Sequence, residues 1–441
     1  MKKRVIGLLL ALVLLMSLLP AGAMASGDEE ESGLTELWVN GENMLNDPYT
    51  VECGEDGGYA SYDAASNTLT LSDAIITEGH TVYGGAYGIY ADGDLNIVLE
   101  GTSTAGSDKL DAGVNIDGDL TITGTGSLTA TGGYEAGIDV SGNLTVNDGV
   151  TVTGNNTDDT GVDVHGNLTV NSGGTVSGTS STQEGVHAST LTVNGGSVAG
   201  SGLQGVCVEN SIKVESGTLT GTGTGTGEDS YFIYGIYVKS TDGNFTVSGG
   251  SVTGKGTGED SHGIHINGGS MTVEGGTVTS SGEGYYSSGI YIEDNGRMTV
   301  KDGEVTSTGN GENCYGIYMD YLTITGGTVT ARANGKNGYG LYTYKDKAVT
   351  ISKQAKVIVS SETPGNIINL LSSVTIMVDD IEYTPNNDTT ELRVENGDVT
   401  ESTYKPMKQL WIDGKNMPVD KNGVVECGEG GTASYNAAPT P

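Results

Sequence analysis

One phrase repeats through most of this chain, and the repeat decides what the chain can fold into. From Gly88 onward the order is a glycine, a short alternating apolar run, a Leu-Thr-Val-like triplet, a glycine turn, a Thr-Val-Thr-like triplet and a variable glycine-rich loop. The copies GIDVSGNLTVNDGVTVTG, GVDVHGNLTVNSGGTVSG, GIHINGGSMTVEGGTVTS and GIYMDYLTITGGTVTA show it plainly. Lead glycines stand at Gly88, Gly113, Gly137, Gly161, Gly185, Gly205, Gly235, Gly263, Gly289, Gly316 and Gly340. Their mean step of about 25 residues lies in the range of solenoid repeats. Within a copy the period is two: Ile138, Val140, Leu144, Val146 and Val152 fall on one side, Asp139, Thr145, Thr151 and Thr153 on the other. So thin an apolar set cannot bury itself, but stacked copies make a continuous column in which each coil covers its neighbours. No stretch carries a helical period, and the Leu-x-x-Leu-x-Leu pattern of leucine-rich repeats is missing. The expected fold is therefore all-β, a parallel β-helix (β-solenoid) of about 11–12 coils, each with three short strands. Asn147, Asn171 and Asn194 recur at one turn and are expected to point inward as a hydrogen-bonded ladder.

Two related segments frame the repeat. Leu37-Trp38-Val39-Asn40-Gly41 opens a stretch that runs through Cys53 to ASYDAASNTLTLSDA, and Leu410-Trp411-Ile412-Asp413-Gly414 begins a shorter second copy. Residues 34–86 read as an N-terminal β cap module, 87–380 as the β-helix, 381–408 as a closing region and 409–441 as a partial repeat of the cap. Ahead of them, Lys2, Lys3 and Arg4 precede an apolar run from Val5 to Leu19 and the small residues of Ala23-Met24-Ala25. That pattern is expected of a signal peptide, residues 1–25, followed by an acidic linker, 26–33, in a protein that is secreted or held at the cell surface. The apolar run is short for a membrane span. Cys53, Cys207, Cys314 and Cys427 are too few for a disulfide scaffold, and no bridge is expected.

Charge narrows the partners. Twenty Lys and Arg face 56 Asp and Glu, a net of −36, and loss of the leader leaves 17 cations and a net of −39. Such a surface repels nucleic acid and anionic lipid, so neither is an expected partner. Cations, neutral glycans and basic proteins remain.

The second residue after each lead glycine forms one row, expected to face solvent: Tyr90, Asn115, Asp139, Asp163, His187, Cys207, Tyr237, His265, Tyr291, Tyr318 and Tyr342. Residues just before the glycine add Tyr87, Tyr234, His262, Tyr315 and Tyr339. Coils about 4.8 Å apart would spread this row over about 50 Å. A tyrosine offers a rigid apolar plane with a polar tip, and a sugar ring offers an apolar C–H face. The stripe thus reads either as a glycan track or as ordinary β surface, where tyrosine is favoured anyway. In its middle, Asn115, Asp139 and Asp163, flanked by Asp92, Asp117, His165 and His187, are candidate ligands for calcium. The alternative is an acidic patch with diffuse counter-ions. Lys336, Lys345, Lys347, Lys353 and Lys356 make a basic island near the last coils, which reads either as a contact for uronates or as the lysine that commonly guards a sheet edge. On successive coils, Asp139 and Asp163 are expected to sit near the separation of a retaining glycosidase pair. An open sheet, however, offers nothing to hold one carboxyl buried and protonated, and no catalytic residue is assigned.

The Trp-x-x-Gly opening, SYDAASNTLTLSDA and the phrase GIYADGDLNIVLEGTST…GVNIDGDLTITGTGSL resemble secreted proteins of Gram-positive gut and cellulolytic bacteria. More narrowly, they resemble the clostridial β-helix carbohydrate-binding family that binds cellulose and pectin-type polysaccharides. The resemblance implies a right-handed parallel β-helix, calcium sites and no catalysis. The expected function is extracellular polysaccharide binding, to plant cell-wall or host glycans. An adhesin-like spacer and a polysaccharide lyase or hydrolase are the alternatives.

Overall fold

The computed structural model describes residues 34–46, 49–54, 57–225, 232–343, 348–369 and 375–403, and the backbone of Leu410–Ile412, Lys415–Met417, Gly423–Cys427 and Gly431–Tyr435. The leader, the acidic linker, Lys345, Lys347 and the side chains of the second cap copy lie outside them.

The described chain is all-β, without a helix, and winds through about 12 stacked parallel coils. Each coil but the last contributes one strand to each of three faces. On the second face a single apolar column runs Leu95, Leu120, Leu144, Leu168, Leu191, Ile212, Phe245, Met271, Met298, Leu322, Val349 and Ile376, every neighbour paired in register. All twelve are buried. The first face supplies Ile89, Val114, Ile138, Val162, Val186, Val206, Ile236, Ile264, Ile290, Ile317, Leu341 and Ile368 in the same way. Each such side chain contributes on the order of 1.5–3 kcal/mol by leaving water, but only because a coil above and below covers it. Between the second and third faces the chain turns through left-handed backbone, at Gly149 and Gly173 for example, which only glycine adopts without strain.

The asparagine ladder exists but does not point inward. Asn171 donates to Asn147 at 2.8 Å and Asn194 to Asn171 at 3.4 Å. These residues sit at the corner, partly exposed, because Val146, Val170 and Val193 beside them already fill the interior. A second ladder, not foreseen, climbs the preceding corner. There Asp94 accepts from the Asp119 amide, Asp119 from the Asn143 amide and Asn143 from the Asn167 amide, at 2.8, 2.8 and 2.9 Å.

Antiparallel strands cover both ends of the column. Leu37–Val39 lies against Gly85–Ala91, and the meander Thr50–Glu52, Tyr59–Asp63, Thr68–Ser72 delivers its last strand in parallel onto Leu95–Glu100. At the far end Thr389–Glu395 pairs with Lys356–Ser361 and Asp398–Thr403 with it in turn, so the parallel edge is not left open. Lys356 there meets Glu395 at 3.3 Å. Cys53, Cys207 and Cys314 are buried and free.

Candidate functional site

The row read from the sequence holds its register from end to end. Tyr90, Asn115, Asp139, Asp163, His187, Cys207, Tyr237, His265, Tyr291, Tyr318 and Tyr342 are successive cross-strand partners. Its exposure is different from the expectation. Tyr90 is 2% exposed and His265 4%, Cys207, Tyr87, Tyr234 and His262 are buried as well, and Tyr237, Tyr291, Tyr315, Tyr318, Tyr339 and Tyr342 are half-buried. The cause is the match between coil spacing and ring stacking. His262 lies on Tyr291 with centroids 4.4 Å apart, Tyr291 on Tyr318 at 4.3 Å and Tyr318 on Tyr342 at 5.0 Å, all within 20° of parallel. Rings packed face to face leave edges and hydroxyl tips outward, not a flat platform. Burial pushes the Tyr291 hydroxyl up, and burial together with Tyr342 pushes Tyr318 up to about 12, so the stack carries no charge.

The stack has one gap. In the neighbouring row Tyr234, His262, Ser288, Tyr315 and Tyr339 are successive partners, and Ser288 is the only small residue among them. Where a ring is missing, a cavity of about 320 Å³ opens. His262, His265, Ser287 and Ser288 line its floor. His262 Nδ1, both nitrogens of His265 and the hydroxyls of Ser287 and Ser288 are buried without a hydrogen-bond partner. The carboxylates nearest the imidazoles stand off, Glu293 3.7 Å from His265 Nε2 and Asp260 3.5 Å from His262 Nε2. Burial holds His262 down to about 3 and His265 well below the ordinary range, so both rings are neutral near pH 7. Burial also pushes the rim carboxyls up, Asp260 with help from Glu259, Glu293 with help from Asp294 and Asp260.

Two rings at the rim, unlike those of the stack, are open to solvent. Phe232 is 61% exposed and Tyr286 51%, and both line the cavity. Phe232 sits at φ +71°, a left-handed conformation that costs a bulky residue on the order of 1–3 kcal/mol and that clusters at ligand sites. Sequence reading missed Phe232, Asp260, Tyr286, Ser287, Ser288 and Glu293. The available signal was the lone serine in an otherwise aromatic column.

The acidic middle of the row is wired to protein cations. Asp163 bonds His187 Nδ1 at 2.6 Å, His187 Nε2 bonds Glu209 at 3.0 Å, and Lys239 bonds Glu209 at 3.0 Å. Asp139 lies in the sheet row as expected but is half-buried, not open. Burial, reinforced by Asp163, pushes it up to about 6, with His165 3.5 Å away. Asp117 accepts the Tyr90 hydroxyl at 2.9 Å, and Asp92 accepts the amides of Thr35 and Glu36. Asn115 pairs with Asp139 across the strands. Among the described residues no group of three or more His, Cys, Asp or Glu is arranged to hold a metal ion.

His187 gives this cluster a pH signature. Burial alone would lower it, but its bonds to Asp163 and Glu209 outweigh burial and raise it. A raised folded value means stabilisation that is fully present below the unfolded value near 6.5 and is lost as pH rises through the folded one. His187→Gln is expected to cost about 1.5–3 kcal/mol at pH 6 and clearly less at pH 9, measured by urea denaturation. A cost independent of pH would mean that the fold leaves the imidazole's pKa where the unfolded chain has it.

Against models of known families, curated proteins and solved structures, the chain has no match in any of the three comparisons.

Proposed function

We propose that this chain is a non-catalytic, extracellular carbohydrate-binding β-helix whose contact point is the cavity beside Ser288 and not the length of the aromatic stripe. One observation carries the reading: neutral, buried donors and acceptors without partners, His265 above all, lie under two exposed aromatic rings. A native protein leaves few buried polar atoms unsatisfied, because each costs on the order of 1–3 kcal/mol. A ligand rich in hydroxyls would satisfy these, and its C–H faces would cover Phe232 and Tyr286. The sequence pattern of the leader supports an extracellular setting.

The test is retention on insoluble cellulose and on calcium–pectin gel. Phe232→Ala/Tyr286→Ala is expected to weaken retention about tenfold or more, since two ring contacts together amount to about 1.4 kcal/mol or more. EDTA is expected to leave retention on cellulose unchanged, because protein cations already engage Asp163. A second reading, a surface spacer, is favoured by the self-stacked Tyr291, Tyr318 and Tyr342. No retention of the wild-type chain on either matrix would put that reading first.

A further inference from the structure

We infer that the cavity accepts a single uncharged pyranose ring and turns uronates away. The inference rests on the carbohydrate-binding reading and adds the charge class and size of the ligand.

Size comes first. At about 320 Å³ the cavity is at the small end of ligand sites, which run from about 300 to 1,000 Å³. It suits one ring, at a chain end or as a free glycoside, where a 50 Å track would suit a polymer.

The polar groups then fix the ligand's character. A neutral imidazole has one donor and one acceptor nitrogen, and a serine hydroxyl does both. The unpartnered atoms of His262, His265, Ser287 and Ser288 therefore present a mixed set, which only a partner that also donates and accepts can satisfy in full. A sugar hydroxyl is such a partner. A carboxylate accepts only, and would leave the acceptor nitrogens unpaired in a site where that is costly.

Charge points the same way. Asp260 and Glu293 stand at the rim, and among the described residues no lysine or arginine lines the cavity. A uronate would bring a third carboxyl beside two whose own ionisation is already disfavoured by burial. At contact distances of a few ångström and partial screening, that repulsion amounts to about tenfold or more in affinity.

The experiment is saturation-transfer NMR and titration calorimetry on the full chain. The ligands are the methyl β-pyranosides of glucose, galactose, mannose and xylose, with methyl glucuronide and methyl galacturonide as charged counterparts. At least one neutral glycoside is expected to bind at least tenfold more tightly than its uronate counterpart. Asp260→Asn/Glu293→Gln is expected to narrow the preference, so that the ratio of neutral to uronate affinity falls at least several-fold, and an unchanged ratio would overturn the charge selection. Ser288→Phe, which replaces the missing ring, is expected to abolish binding. Uronate binding equal to or tighter than neutral binding, and lost in Ser288→Phe, would overturn the charge selection while leaving the carbohydrate site standing. Binding that survives Ser288→Phe would overturn the cavity as its location. No binding of either class would overturn the carbohydrate reading, and this inference with it.

Discussion

Gly200→Val is expected to open the middle of the solenoid, at a cost of about 3–5 kcal/mol. A Cβ on Gly200 would fall 2.6 Å from the Gly205 carbonyl carbon and 2.9 Å from Val206 Cγ2, and closer still to the carbonyl oxygen. No side-chain rotation relieves a clash with backbone. The position belongs to a cross-strand row that reads Ala105, Ala130, Gly154, Gly178, Gly200, Gly221, Gly254, Ser280, Ser307, Ala331 and Val359. Its glycines occupy the middle coils, where the corner is tightest. In the later coils the corner relaxes enough for Ser280 and Ser307 to donate to the carbonyls of the lead glycines Gly289 and Gly316, at 2.5 and 2.6 Å. The same row therefore predicts a mild control, Ala130→Gly, at about 1 kcal/mol. Because each coil touches only its neighbours, amide hydrogen exchange reads the effect best. Gly200→Val should lose protection first from the coils led by Gly185 and Gly205, and unchanged protection there would show that the corner has room.

The fold was legible because it is written in a period. Gly88 to Gly340 set the coil, and residues two beyond each lead glycine, from Tyr90 to Tyr342, formed a row that holds residue for residue in the sheet. Periodicity gives register; it does not give exposure. Nothing in a list of tyrosines tells whether rings lie flat on the surface or on each other, and here a repeat of about 4.8 Å made mutual stacking the better arrangement. The cavity was hidden for a related reason. Ser288 is unremarkable beside Ser287, and its meaning appears only when His262 and Tyr315 are placed on either side of it by pairing. Phe232 precedes a strand and joins no row, so no pattern marked it. The raised carboxyl of Asp139 was not legible, because it depends on desolvation by neighbouring coils and on the charges of Glu135 and His165, which arrive from positions that the row does not include.

His265→Phe separates function from stability, and the two effects are expected to have opposite signs. Phenylalanine keeps the edge-on contacts that His265 makes with Tyr234 and Tyr291, at 4.3 and 5.1 Å, and removes two nitrogens that nothing in the protein satisfies. Relief of an unpaired buried polar group is worth about 1–3 kcal/mol, so the variant should be more stable than the wild type at pH 8. It should also lose sugar binding, because the central donor–acceptor pair of the cavity floor is gone. The gap in stability should then widen in acid. The folded imidazole stays neutral well below 6.5, held there by burial and by His262, whereas the unfolded one takes up a proton near 6.5. The wild type therefore loses stability as pH falls below that value, by about 1.4 kcal/mol per unit for this residue, and the variant does not. Asp260, Glu293 and His262, the titratable groups around it, are present in both proteins, so the difference isolates His265. Urea midpoints at pH 8, 6 and 5 for the two proteins decide the matter. A destabilised variant, or a gap that closes in acid, would mean that the imidazole is already partnered or charged in the fold, and the cavity floor would lose the unmet demand on which the carbohydrate site rests.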